Sequence, residues 1–168
     1  LAGRHEWWRP GTYDVRIMRG VTWPRADLEY LWKDAQGKWL QRSFHRMLAE
    51  FPCDIAFGFD EQQPPADANQ HVALVVDRWR DDQAAAGSCQ IVPIIHGNAQ
   101  DLPDLCHAVA AQTGVAMVAV AERRLGDGVI DRAHNVLAIR NALNQQDHYV
   151  AVHLLGTGNP FSIALYSA

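Results

Sequence analysis

Gln90-Ile91-Val92-Pro93-Ile94-Ile95-His96-Gly97 is a short apolar run that stops abruptly at an imidazole and a glycine. A run this short and this apolar predicts a strand buried on both faces, as in a parallel sheet. Three more segments share the form. Asp54-Ile55-Ala56-Phe57-Gly58-Phe59 ends in Asp60-Glu61, Val115 to Ala121 ends in Glu122-Arg123, and Tyr149 to Leu155 ends in Gly156-Thr157-Gly158. Four such strands, each delivering polar groups or glycine at the same end, predict one rim of chemistry. That rim is where α/β folds hold their ligands.

Between the strands, apolar residues recur at helical spacing. Residues 1–24, rich in Trp, Arg, Pro and Gly, predict an irregular lead-in with one short strand at 14–18. Its mixture of arginine and aromatic side chains reads as a loop packed over a core rather than a base-stacking surface. Over residues 25–51, Leu28, Leu31 and Trp32 share a helical face, Gly37 interrupts it, and Phe44, Met47, Leu48 and Phe51 resume it before Pro52 stops it. Asp67 is placed to cap a helix over 68–86 that turns Val72, Leu74, Val75 and Trp79 inward, leaves Arg78, Arg80, Asp81 and Asp82 toward water, and ends at Gly87. Pro103 suits the first turn of a helix over 102–112, which Gly114 closes. A helix over 129–145 has Ile130, Ala133, Val136, Leu137 and Ile139 on its core side, and a short helix starts at Pro160.

Strand then helix, four times with short connections, predicts parallel strands joined by crossover helices. The expected fold is α/β, with parallel βα repeats forming part of a TIM (β/α)8-like barrel. A full barrel takes about 250 residues, and this chain has 168. The expected organisation is the lead-in at 1–24 and a partial barrel domain at 25–168. The chain opens at Leu1 rather than Met and ends at Ala168 inside an expected helix, which fits a piece of a larger barrel.

The formal net charge of −4 supplies no global attraction to nucleic acid, so such binding would need a local basic patch. Cys53, Cys89 and Cys106 are far apart, without paired-ligand spacing. They predict reduced thiols in a cytoplasmic protein, with no metal site in this chain. No apolar run reaches transmembrane length, so no membrane partner is expected.

From about residue 40 onward, several segments in register resemble the tRNA-guanine transglycosylases. Cys53 to Glu61 is similar to that family's alanine-aspartate-isoleucine to phenylalanine-aspartate-glutamate strand, and Arg78-Trp79 to the arginine-tryptophan of its next helix. Ile94-Ile95-His96-Gly97 resembles a strand end in which glutamine stands where His96 stands here. Val118-Ala119-Val120-Ala121-Glu122 resembles a leucine-alanine-valine-glycine-glutamate segment, and Leu154 to Pro160 a glycine-rich turn. The resemblance implies that Asp60 holds a purine, that His96 and Gly97 meet the same base, and that Val118, Ala119 and Glu122 read it. It implies a base-exchange transferase that replaces guanine with a 7-deazaguanine in tRNA or DNA, alone or as a homo- or heterodimer. The chain departs from the pattern. The serine-glycine-glycine-phenylalanine motif is not visible upstream, and Ala121 replaces a glycine. The nucleophilic aspartate and the zinc-binding cysteines would lie beyond Ala168. Catalytic residues are therefore unassigned, no cofactor is expected within this chain, and its isolated activity is expected to be nil.

The residues also allow plainer readings. Ionised Asp60 is acceptor-only and matches the adjacent N–H groups of a guanine-like edge, or it is a surface acid after a strand. His96 meets a base, or packs as a satisfied core histidine, while Gly97 would let a ligand approach the backbone. Glu122 bonds a substrate or neutralises an arginine, and Arg123 and Arg124 could meet a phosphate. Gly156-Thr157-Gly158 cradles a phosphate or makes a tight turn. His5, His45, His71, His107, His134, His148 and His153 lack metal-ligand spacing. Two alternatives remain: a non-catalytic partner subunit, and an unrelated barrel enzyme using the acids at 60, 61 and 122.

Overall fold

The computed structural model describes residues 17–18, 40–50, 53–60 and 64–166. Among these, six short strands and five helices alternate: β1 (Ile17–Met18), α1 (Gln41–Glu50), β2 (Ile55–Phe57), α2 (Ala68–Ala86), β3 (Gln90–Val92), β4 (Ile94–Ile95), α3 (Leu102–Thr113), β5 (Met117–Ala121), α4 (Val129–Leu143), β6 (Ala151–Leu155) and α5 (Pro160–Tyr166). The fold is α/β, and every strand pair is parallel, as buried apolar runs require. The lead-in and the first half of the predicted 25–51 helix lie outside the described residues, apart from β1.

The strands form two three-stranded sheets, β1-β2-β3 and β4-β5-β6. No TIM barrel is shown. The predicted strand 90–95 divides at Pro93, which has no N–H to give a ladder. β3 pairs with β2 through Ala56↔Ile91 and Phe57↔Val92. Its other edge is taken by side chains of α2: Gln83 Nε2 donates to the Cys89 carbonyl at 2.8 Å, its Oε1 accepts from Ile91 N at 3.0 Å, and Trp79 Nε1 donates to the Ile91 carbonyl at 3.0 Å. Pairing with β5 begins only at Pro93, whose carbonyl accepts from Ala119 N at 2.9 Å.

The helix boundaries follow their punctuation. Asp67 Oδ1 accepts from Gln70 N at 2.8 Å and caps α2. Gly114, at φ 67°, closes α3 in the left-handed region, its N–H bonded to the Ala110 carbonyl. Each helix packs on its sequence neighbour, α1 on α2, α2 on α3, α3 on α4 and α4 on α5. The main core lies between this row and the strands, around Ile95, Leu102, Val109, Val118, Val120, Leu125, Ile139 and Leu143. A smaller cluster joins Phe44, Leu48, Cys53, Ala56, Ala86, Cys89 and Ile91.

Three expectations are corrected. Asp82, expected toward water, is 1% exposed. It accepts from Gln41 Nε2 at 2.9 Å, His45 Nε2 at 2.7 Å and the Phe59 N–H at 2.7 Å, so three donors compensate its desolvation. Cys53 and Cys89, expected as free thiols, are disulfide-bonded with Cα atoms 5.4 Å apart, which removes the basis for placing the chain in the cytoplasm. Ile130 and Leu137, expected on the core side of α4, are 57% and 56% exposed, and Ile139 and Leu143 take the core. No described helix is long and apolar enough to cross a membrane.

Candidate functional site

Parallel strands β2 and β4 end on the same side of the molecule, and their polar residues meet there. Asp60 follows β2 by three residues, His96 follows β4 directly, and His96 Nε2 is hydrogen-bonded to Asp60 Oδ1. The carboxylate accepts, so in a neutral ring the lone pair sits on Nδ1. His96 is buried, and its Nδ1 is shielded from solvent without a hydrogen-bond partner.

His96 lies between two cavities. The inner one, about 20 Å³, runs under Gly58, Phe59, Arg78, Trp79 and Asp82. The outer one, about 280 Å³, is bounded by Pro64, Pro65, Gly97, Asn98, Asp101 and Arg124. Only His71 and His96 line both, so the two imidazoles form the partition. His71 sits in the first turn of α2 and is 5% exposed. Its pKa is lowered, first by burial and then by His96, so it is neutral at physiological pH. His71 has no metal-ligand spacing in the sequence. The available signal was its place one turn inside a capped helix that follows the β2 loop.

The remaining candidates divide. Gly97 lines the outer pocket, but its missing side chain serves packing: a Cβ there would meet Leu105 Cδ1 at 2.9 Å. Val118 and Ala119 are fully buried within β5, and the Ala119 N–H is committed to Pro93. Glu122, 8% exposed, accepts from Tyr166 OH at 3.0 Å and Arg132 Nη1 at 3.4 Å, so it braces α4 and α5. Burial, with the Glu122 carboxylate adding to it, raises the Tyr166 pKa. Arg123 and Arg124 are exposed, and Arg124 alone of the two reaches the outer pocket. Asp60 backs His96 rather than lining either cavity. Trp79 ties α2 to β3, and the Arg78 guanidinium lies 5.7 Å from the Phe59 ring centre. Among the described residues, no group of three metal-ligating side chains is present.

This geometry defines an α/β chain with a histidine-lined pocket at the carboxyl ends of parallel strands. The family described as "Protein of unknown function (DUF3016)" matches residues 1–79. No curated protein matches the chain. The resemblance to the tRNA-guanine transglycosylases is therefore corrected. The match takes in Asp60 and Arg78-Trp79, two segments on which that resemblance stood, and the family it is similar to there is one of unknown function. The strands, for their part, make two short sheets rather than a barrel.

Proposed function

We propose that the chain binds a guanine-like heterocycle at the Asp60–His96 rim, as the base-recognition part of a base-exchange transferase acting on tRNA or DNA. The observation that carries this reading is the carboxylate–imidazole bond beside an open pocket of about 280 Å³. Asp60 fixes the His96 ring, and a fixed imidazole with a defined tautomer selects a ligand edge by hydrogen bonding. Arg124 at the mouth gives a cation for a nucleic-acid phosphate. The proposed role is recognition alone, since no nucleophile is assigned.

The finer fold proposal is an arc of a (β/α) barrel. Taking β3 and β4 as one strand broken at Pro93, the strands run in consecutive order, and the helices pack in that same order. Right-handed crossovers without a reversal of strand order put all helices on one side, which is how a barrel curls. Phe161 and Leu137, 83% and 56% exposed, offer apolar surface on which a further strand-helix unit would pack.

Calorimetry of guanine and 7-deazaguanine against the chain tests the reading. Asp60→Ala should weaken binding by about tenfold to a hundredfold, the loss of a charge-assisted hydrogen-bond partner. Unchanged affinity in that variant, or no binding by the parent chain, would sink it. A second reading rests on the same pair: a carboxylate-oriented imidazole is also an acid–base device, as an unrelated small-molecule enzyme would use. Structures with soaked purine or sugar phosphate separate the two.

A further inference from the structure

The outer pocket contains a second imidazole that neither the sequence motifs nor the Asp60–His96 pair account for. His71 is 5% exposed and is in the lining of both cavities, as His96 is, and so faces the space a ligand would enter. It is held there by α2, whose Asp67 cap fixes the first turn and whose own N–H bonds the Asp67 carbonyl at 2.9 Å. The helix N-terminus adds a positive field that disfavours an imidazolium at this place.

We propose that His71 is a ligand-contacting residue of this pocket. Its ring supplies one donor and one acceptor to a neutral, planar heterocycle that His96 contacts beside it. The inference rests on the base-binding reading and names the ligand class more narrowly. A neutral His71 ring suits a heterocycle that presents both N–H and carbonyl groups. The base would lie in the outer pocket between the imidazoles and the Pro64-Pro65 wall. The charged and titratable groups facing His71 are Asp67 on its own helix, His96 with Asp60 behind it, Arg78 and Asp82 across the inner cavity, and Asp101 and Arg124 across the outer one. Because the folded pKa is depressed below 6.5, the ring stays neutral at pH 7 and gains a proton in acid, where it loses its acceptor.

The test is calorimetric titration of 7-deazaguanine into the parent chain, His71→Phe and His71→Gln, each at pH 7.5 and 5.5. His71→Phe keeps ring volume and should bind at least tenfold more weakly at pH 7.5. His71→Gln keeps a donor and an acceptor and should recover most of that loss. The parent should weaken as the pH falls through the lowered pKa of His71, and His71→Gln should weaken less. Thermal unfolding reports whether each variant is folded, and if His71→Phe is not, the pH profiles of the parent and His71→Gln decide. Parent-like binding by a folded His71→Phe, or parallel pH profiles, overturns the proposal while leaving the base-binding reading intact. Absence of binding to the parent overturns both.

Discussion

Before Pro93, β2 and β3 rest on a small cluster in which, among the described residues, Phe44, Leu48 and Ile91 are the fully covered large side chains beside small Ala and Cys residues, with Met47, Phe59 and Trp79 packed against it. After Pro93, β4, β5 and β6 rest on a contiguous core of Ile, Leu and Val from three helices. Fully burying one such side chain contributes about 1.5–3 kcal/mol, so the second region is held mainly by packing. The first is held by cross-links: the Cys53–Cys89 disulfide, the Asp82 carboxylate with its three donors, and the Gln83 and Trp79 bonds that close the edge of β3. The difference matters for the site, because Asp60 comes from the cross-linked region and His96 from the packed one. Their hydrogen bond spans the seam.

The largest effect expected is at Asp82. Replacing it with alanine strips the acceptor from Gln41, His45 and the Phe59 N–H at a site 1% exposed, and should cost about 3–5 kcal/mol in denaturant unfolding. A cost below about 1 kcal/mol would show that the first region does not depend on this carboxylate. Gly58 takes part in the arrangement: a Cβ there would lie 3.2 Å from Asp82 Oδ2. Phe59 precedes Asp60, so Asp82→Ala should also disturb the site pair.

Reduction of the disulfide comes next. Closing a loop of sequence separation 36 stabilises by about 3–4 kcal/mol on the chain-entropy account. Hydrogen exchange after reduction should rise in α1, β2 and β3 and stay low in β5 and α3. Equal acceleration on both sides of Pro93 would break the comparison. Cys106 does not confuse the experiment: it is fully buried, and burial pushes its pKa up to about 12, so its thiol is a poor partner for disulfide exchange in the folded chain.

The parallel strand-helix alternation was legible because it depends on local patterns: apolar runs of strand length, a capping aspartate, a closing glycine. Residues 117–121 and 151–155 appear as strands inside the predicted ones, and the 68–86 helix appears with its predicted ends. The meeting of Asp60 with His96 was legible too, as parallel strands bring their carboxyl ends to one edge. What could not be read depends on partners distant in sequence. Asp82 looks like a solvated helix acid until α1 places Gln41 and His45 against it. Cysteine spacing says nothing about two strands that set Cys53 beside Cys89. His71 carries no motif, and only the cavities reveal which way it faces. The glycine at 97 reads as room for a ligand but is filled by Leu105. The family resemblance failed for a related reason: short apolar strand ends with acids and glycines recur wherever parallel strands meet a rim, so several in register still do not identify a family.

The smallest expected effect tests the outer surface of α4. The helical spacing of Ile130, Ala133, Val136, Leu137 and Ile139 suggests one buried stripe; Ile139 does enter the core, with Leu125 and Leu143, but Leu137 is left 56% exposed. Leu137→Ser should therefore change unfolding stability by no more than about 0.5 kcal/mol, the usual range for a surface substitution. A cost above about 1 kcal/mol would mean that Leu137 is covered in solution, by a further strand-helix unit or by a second copy. In either case the packed region would extend past β6. The contrast across Pro93 would then be wider than the described residues show, because apolar packing would continue on one side only.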